Sequence, residues 1–305
     1  MDVIISANTR ILTVEFEYLE PETISEAIDL LTKYGGEAKL IAGGTDLLVD
    51  MKNGKIRPRY LISILRIPDL NYIIEEADGL RIGAGTFFQE IVDSQLVRDK
   101  YQLIHDAAMS LGTAQIRNMA TIGGNICNAL PSADMPPALV ALDARVKIAG
   151  KDGERTLPLE ELFVGVRKTK LRGDELLTEI VVKRPPERSG TAFIKLAKTS
   201  EDLATLNVAV RVTVAKDGAC EGARIVVGGG IGPTLIRSRK AEKILEGKVP
   251  NETTIKEVAE AACEGFQCRP TSIRASPYYK TEVSKVLVKR ALLKALENVK
   301  EGAEG

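Results

Sequence analysis

Two short runs, Ala42-Gly43-Gly44-Thr45-Asp46 and Thr121-Ile122-Gly123-Gly124-Asn125, hold the residue types best suited to gripping a phosphorylated ligand. Adjacent glycines let the backbone take positive φ and bring its N–H groups close to another molecule. A turn built this way forms a concave nest of amide donors that matches phosphate oxygens. The threonine hydroxyls and the Asn125 side chain add hydrogen-bonding groups. Taken singly, each run reads equally well as a tight strand-to-helix turn. Two of similar composition, each after an apolar β-like segment, point to one shared ligand. Loops from separate lobes can clasp the two phosphates of a dinucleotide between them.

Few other catalytic groups stand beside them. His105 is the only histidine, so Ser-His-Asp or Cys-His catalysis, or a histidine-based metal site, would have to run through it. It lies in the apolar-periodic stretch Leu103 to Leu111, where a packed or surface role is expected. Cys127, Cys220, Cys263 and Cys268 form no C-x-x-C pair, which argues against a disulfide framework or a zinc knuckle. Cys263 and Cys268 close a helical pattern and read as packing residues. The run Gly228-Gly229-Gly230-Ile231-Gly232-Pro233 has Pro233 where a Rossmann fingerprint needs its third glycine, and reads as a structural turn. No P-loop pattern occurs. The chemistry therefore has to come from something bound.

The 305 residues, 44% of them hydrophobic, are enough for two or three domains with their own cores. The 42 basic and 42 acidic side chains cancel, which removes the electrostatic case for nucleic acid or an anionic membrane. No apolar run reaches about 18 residues, so no membrane span is expected. Met1 to Arg10, with Asp2, Asn8 and Arg10, lacks a signal-peptide core, and the cytoplasm is the expected compartment.

The elements that must position the glycine runs follow from periodicity and caps. Residues 11–19 read as a strand ended by Glu20-Pro21. Thr23 and Glu26 form a capping-box signature for a helix closed by Gly35-Gly36. Strands at Lys39–Ala42 and Tyr60–Ile64 precede a lobe boundary at Ile67-Pro68-Asp69. A strand at Leu80–Ala84 leads to Thr86, read as the cap of a helix Phe87–Asp93, and a longer helix lies near Leu103–Leu111. Pro136 and Pro137 fit the first turn of a helix through Leu142. Strands at Arg145–Ile148 and Glu179–Lys183 lead to the linker Arg184-Pro185-Pro186-Glu187. Beyond it, Thr191–Lys198, Val208–Ala215 and Ala223–Val227 read as three antiparallel strands. Helices at Ser238–Leu245, Ile255–Cys263 and Pro277–Leu296 follow, the last capped by Ser276. Strands first and helices later suggest a separate α+β domain. The expected organisation is residues 1–186, in lobes of about 1–66 and 67–186, followed by residues 187–305.

Several segments are similar to one family in collinear order over nearly the whole chain. AGGTDLL (42–48) and QIRNMATIGGN (115–125) are joined by NALPSADMPPAL (128–139), KTKLRGDELLTEI (168–180) and KTSEDLATLNVAV (198–210). GGGIGPTLIRSRKAEKILEG (228–247) and RPTSIRASPYYKTEVSKVLVKRAL (269–292) complete the set. Together they resemble the FAD-binding subunits of molybdenum hydroxylases. That group includes the medium subunit of aerobic carbon monoxide dehydrogenase and the flavin segment of xanthine dehydrogenase.

The resemblance implies a two-lobed α+β FAD-binding domain of the vanillyl-alcohol-oxidase (PCMH) type. A C-terminal domain of three antiparallel strands and helices would follow it. By that match Ala42, Gly43, Gly44, Thr45 and Asp46 hold one side of the FAD pyrophosphate, and Thr121, Gly124 and Asn125 the other. Asn128 and Asp134 match positions along the flavin's sugar chain, Leu177 an apolar residue near the adenine end or flavin edge, and Lys195 a flavin-contacting lysine. Leu203, within Asp202–Thr205, matches a segment over the isoalloxazine ring. Some relatives carry an aromatic residue there, so stacking by Leu203 is aliphatic. Strand packing for Leu203 and an N-cap role for Asp134 are the plainer readings.

The implied function is electron transfer. A large molybdopterin subunit oxidises substrate, a small subunit with two [2Fe-2S] clusters relays electrons, and this chain's FAD passes them to NAD, oxygen or a quinone. The resemblance leaves room for a dimer of heterotrimers. No clustered cysteines suggest an extra iron–sulfur insert. Tyr278, Tyr279, Arg274 and Arg269 form a candidate partner-contact cluster, with helix capping and packing as the alternative. Two rival readings stand beside this one: a self-sufficient flavoprotein oxidoreductase of the same fold, and a cofactor-free assembly subunit.

Overall fold

The computed structural model describes Leu12, residues 15–270, Ser272 and residues 274–304. Among the described residues, three larger sheets, each backed by helices, follow one another along the chain, with one two-stranded hairpin beside the second. The first lobe is a parallel three-stranded sheet of β1 (Glu17–Leu19), β2 (Ala38–Ile41) and β3 (Tyr60–Ser63), in the order β1-β3-β2. Of the strand expected over 11–19, only Glu17–Leu19 pairs, while Ile11, Thr13 and Val14 lie outside the described residues, as does the Met1–Arg10 segment. The helix Ile24–Tyr34 starts where the Thr23 hydroxyl accepts the Glu26 N–H, and ends at Gly35 with φ +50°. It buries Ala27 and Leu31 against the sheet, and Tyr34 stacks on Tyr60. β2 then runs into the first glycine loop and the helix Leu47–Lys52.

The second lobe contains β4 (Ile73–Glu76), β5 (Gly79–Gly83), β6 (Arg145–Gly150) and β7 (Gly153–Pro158). A small hairpin of β8 (Phe163–Gly165) and β9 (Lys168–Thr169) precedes β10 (Leu176–Lys183). The antiparallel order β4-β5-β10-β6-β7 puts β10 at the centre, where its alternate residues Ile180 and Val182 are fully buried. Helices at Phe88–Asp93, Gln102–Met109, Ile122–Asn128 and Met135–Ala141 pack Phe88, Ile91, Ile104, Ile122 and Leu139 into this core. Thr86 does not cap the first of these. Its hydroxyl donates to the Tyr72 carbonyl at 3.0 Å, and the Glu90 carboxylate instead accepts the Phe87 N–H at 2.8 Å. β4 and β7 carry too few buried residues to be seen as strands in the sequence; pairing with β5 and β6 makes them so.

The last sheet holds β11 (Ser189–Leu196), β12 (Leu206–Val214), β13 (Cys220–Gly228) and the two-residue β14 (Ile236–Arg237). It is therefore four-stranded, not three-stranded, because Ile236 and Arg237 add to the edge of β13 after the glycine turn. β12 is buried along its whole length, since both its faces are covered. Val208, Val210 and Val212 face the helices Arg239–Leu245, Glu252–Ala262 and Pro277–Glu304, whereas Ala209 joins the second lobe's core. Asn207 and Arg211 share the Ala209 face and reach polar partners in the second lobe, Arg211 meeting Asp143 at 2.7 Å. Asp143, at φ +52°, also accepts from Arg224 at 2.7 Å and Arg237 at 3.3 Å, fastening the two units together.

Candidate functional site

The first glycine loop is pressed onto the segment that leads into the second. A Cβ placed on Gly43 would lie 1.5 Å from the Met119 carbonyl oxygen and 3.2 Å from the Ala120 nitrogen. Only a residue without a side chain permits this backbone-on-backbone approach between lobes. Gly44 has φ +68°, which turns the chain into the helix Leu47–Lys52, whose Leu48 N–H donates to the Gly44 carbonyl. Among the described residues, the backbone N–H groups of Gly43, Gly44, Thr45 and Asp46 have no hydrogen-bond partner. A row of free donors at a half-exposed turn is the arrangement that an anionic oxygen satisfies.

The second run is not a loop of the same kind. Thr121 caps the short helix Ile122–Asn128, so Gly123 and Gly124 lie in its first turn. The Ile122 N–H donates to Thr86, the Gly123 N–H to Ala84, the Asn125 N–H to the Thr121 carbonyl and the Gly124 N–H to the Thr121 hydroxyl. Its amides are therefore taken internally, which corrects the expectation of two equivalent nests. Gly123 is needed for close packing on Ala84, whose carbonyl oxygen would stand 2.6 Å from a Cβ. The run offers instead the exposed Gly124 and an Asn125 side chain whose Oδ1 is buried without a partner. An orphaned polar atom of this kind carries a desolvation cost that a bound hydroxyl or amide donor removes.

Asp46 and Asn128 also meet here. Burial pushes the Asp46 carboxyl above its ordinary value, and the nearby Arg167 guanidinium and Asn128 side chain pull it only part of the way back. Asp50, one turn on, is buried against Arg167 and accepts from Lys55 at 3.2 Å. Burial raises its carboxyl, but those two cations more than compensate and hold it below the usual range. The Arg167–Asp50 pair is a second fastening between the lobes, since Arg167 follows β8 and Asp50 lies in the first lobe.

Asp134 and Lys195 sit elsewhere, at the junction of the second lobe with the C-terminal sheet. Lys195 Nζ donates to Asp134 Oδ2 at 2.8 Å and to the Ser110 carbonyl at 2.7 Å, and Asn207 Nδ2 donates to Asp134 Oδ1 at 3.1 Å. Burial pushes the Asp134 carboxyl up, with Lys195 and Asn207 pulling it down. Asp134 stands before the helix Met135–Ala141 but makes no side-chain cap there, because its carboxylate is turned to these partners. Leu177 is buried in the second lobe's core opposite Ile148. Leu203 is 48% exposed in the β11–β12 connection, which excludes simple strand packing.

An open groove of about 860 Å³ runs between the second lobe and that connection. Ser110, Gly112, Gln115 and Arg117 line one wall, and Lys195, Lys198 and Glu201 the other. Arg117 shapes its wall by donating to the Met109, Leu111 and Gly112 carbonyls. The structure thus brings Ala42–Asp46, Thr121–Asn125 and Asn128 together, and places Lys195 at the groove. The Met119 contact left no sequence signal, because it is made by backbone alone. Asn207 did leave one, as a lone amide inside the apolar run Leu206–Val214.

Residues 14–185 match the family described as the FAD binding domain in molybdopterin dehydrogenase, and residues 191–295 match the CO dehydrogenase flavoprotein C-terminal domain. The chain belongs to this flavoprotein family. It is 35% identical over 289 residues to the 6-hydroxypseudooxynicotine dehydrogenase complex subunit alpha of Paenarthrobacter nicotinovorans, covering 95% of this chain and 97% of that one. It is 34% identical over 278 residues to the carbon monoxide dehydrogenase medium chain of Hydrogenophaga pseudoflava, covering 91% and 96%. The solved carbon monoxide dehydrogenase of Hydrogenophaga pseudoflava that lacks the Mo-pyranopterin moiety superposes with a TM-score of 0.91 at 34% identity, covering 94% of this chain and 99% of that one. The family, the mixed α and β architecture and the class of oxidoreductase subunit expected from the motifs are borne out. The flavoprotein's free amides at residues 43–46 and the orphaned Asn125 oxygen fit FAD, which presents diphosphate oxygens and hydroxyls. Among the described residues no helix is long and apolar enough to cross a membrane, and no His, Cys, Asp or Glu cluster could hold a metal ion.

Proposed function

We propose that this flavoprotein is the electron-transfer subunit of a heteromeric molybdenum hydroxylase, taking electrons from a partner's [2Fe-2S] clusters and passing them to an external acceptor. The observation that carries the reading is the Gly43–Met119 contact, which sets the free amides of the first loop beside the second run. When bound, FAD supplies the redox chemistry, and the protein supplies binding, orientation and electrostatics. Residues 43–46 hold the diphosphate by their N–H groups, with Thr121, Gly124 and Asn125 closing the opposite side. Ala42 follows the strand β2 that delivers the first loop, and Asn128 lies beside Asp46. Lys195, held by Asp134, presents its ammonium to the groove, and Leu203 stands exposed in the same β11–β12 connection that supplies the groove's other wall. Leu177 supports the sheet beneath.

Relatives named as a complex subunit alpha and as medium chains support partners for this chain too. We assign it a large molybdopterin subunit and a small [2Fe-2S] subunit, two such heterotrimers forming the larger assembly. Residues 1–186 make up the FAD-binding domain, with residues 187–305 as the second domain. Four free thiols support a cytoplasmic location. Purification of the native complex tests the reading. It should yield FAD, molybdenum and iron together, with no substrate oxidation by this chain alone. Robust hydroxylation by the isolated chain overturns it.

A further inference from the structure

Arg167 touches both halves of the flavin site. It lies in the turn between β8 and β9, with φ +56°. A long side chain is disfavoured in that conformation and persists only where its surroundings hold it, so the position invites a functional reason. Its N–H donates at 3.0 Å to the carbonyl of Ala129, itself left-handed at φ +47°, which closes the helix Ile122–Asn128. One end of Arg167 is therefore fixed to the element that carries Gly124, Asn125 and Asn128. The other end crosses to the first lobe, where Nη1 donates to Oδ2 of the buried Asp50. Asp50 lies one helical turn beyond Asp46, and its N–H donates to the Asp46 carbonyl. Burial raises the Asp46 carboxyl, and the Arg167 guanidinium is the foremost group opposing that rise, so its charge reaches the first glycine loop. Among the described residues, Nε and Nη2 of Arg167 have no partner, and the side chain is 41% exposed.

The first loop needs such a charge. Its free amides supply dipoles alone, whereas a diphosphate brings full negative charge. The spacing of Asp46 and Asp50 puts both carboxylates on one face of the short helix, where they repel that charge. Lys55 offsets them in part, but from the Oδ1 side of Asp50 and with a side chain 62% exposed. A guanidinium can serve a carboxylate and a phosphate at once, because its N–H donors are fixed in a planar fork. We propose that Arg167 is a further FAD-binding residue, its Nη1 neutralising Asp50 while Nε and Nη2 donate to the diphosphate. The inference rests on the assignment of residues 43–46 to that diphosphate. It adds a charged donor to a set of backbone amides, and it makes the pair that fastens the lobes a part of the cofactor site.

A fluorescence titration of the flavin-free full-length chain with FAD tests this. Arg167→Gly relieves the positive φ and keeps the N–H that bonds Ala129, and it should weaken FAD binding at least about tenfold. Adding Asp50→Asn removes the stranded carboxylate and restores the wild-type melt, yet FAD affinity should stay at least about threefold below wild type. Salt gives a readout that a purely structural arginine would not move. Raising sodium chloride from about 50 to about 500 mM should weaken FAD binding by wild type but strengthen it for R167G, where Asp46 and Asp50 face the diphosphate with less opposition. An R167G protein that binds FAD as tightly as wild type overturns the proposal. So does full recovery in the double variant, which would leave Arg167 as a fastening only, or the same response to salt in both proteins. A wild-type chain that takes up no FAD strikes the assignment of residues 43–46 as well, so the two failures are told apart.

Discussion

Gly43→Ala asks whether the contact between lobes is what builds the binding site. The new methyl carbon would fall 1.5 Å from the Met119 carbonyl oxygen. An ordinary separation is about 3.5 Å, so the loop and the 119–120 segment must part by roughly 2 Å. Such a shift carries donors at hydrogen-bond length well outside it. Losing two charge-assisted hydrogen bonds, at about 1.5–3 kcal/mol each, lowers FAD affinity by at least about a hundredfold. The overpacking itself costs about 1–3 kcal/mol of stability. The assay is a fluorescence titration of flavin-free protein with FAD, run beside a thermal melt. Gly36→Ala serves as the control, because a Cβ there meets nothing within 4 Å. A folded G43A protein that binds FAD as tightly as wild type refutes the reasoning.

Lys195→Met leaves the buried Asp134 carboxylate without its cation, a change worth about 3–5 kcal/mol. The melting temperature should fall by roughly 10 °C, and the double variant with Asp134→Asn should recover more than half of that. Equal losses in the single and double variants would show that the pair is not coupled. Glu175 is held at about 2, below its ordinary 4.5, by hydrogen bonds from the Arg155 guanidinium and the Arg172 N–H that outweigh its burial. Its stabilisation is complete above pH 4.5 and is lost as the pH falls towards 2. Urea midpoints should therefore drop more steeply over that window for wild type than for E175Q, and parallel slopes would remove Glu175 from the acid response. Thr121→Val strips the cap from the helix Ile122–Asn128 and frees the Gly124 amide. We expect about 1 kcal/mol of destabilisation in a chemical melt, and an unchanged midpoint would show the cap to be dispensable.

Much of the fold was legible where local chemistry decides it. Thr23, Gly35 and Ser276 mark helix ends that the structure retains, because caps and positive φ are properties of a few adjacent residues. The edges of sheets were less legible. β4 and β7 have mixed burial and exist because β5 and β6 lie beside them. At the site, the two glycine runs were visible, but their difference was not. Whether an amide is free or taken depends on neighbours such as Thr86 and Ala84, dozens of residues away. The same holds for Asp134, whose position before a proline-rich helix suggested a cap. Its carboxylate is claimed by Lys195 and Asn207 from another sheet.

The most direct measurement compares FAD with FMN on the same flavin-free chain. FMN shares the ring and ribityl chain but has one phosphate and no adenosine. If residues 43–46 and the Thr121–Asn125 run hold a diphosphate jointly, FAD should bind at least about a hundredfold more tightly. Equal affinity for FMN would mean that the ring alone is recognised, and that the two runs have no common ligand.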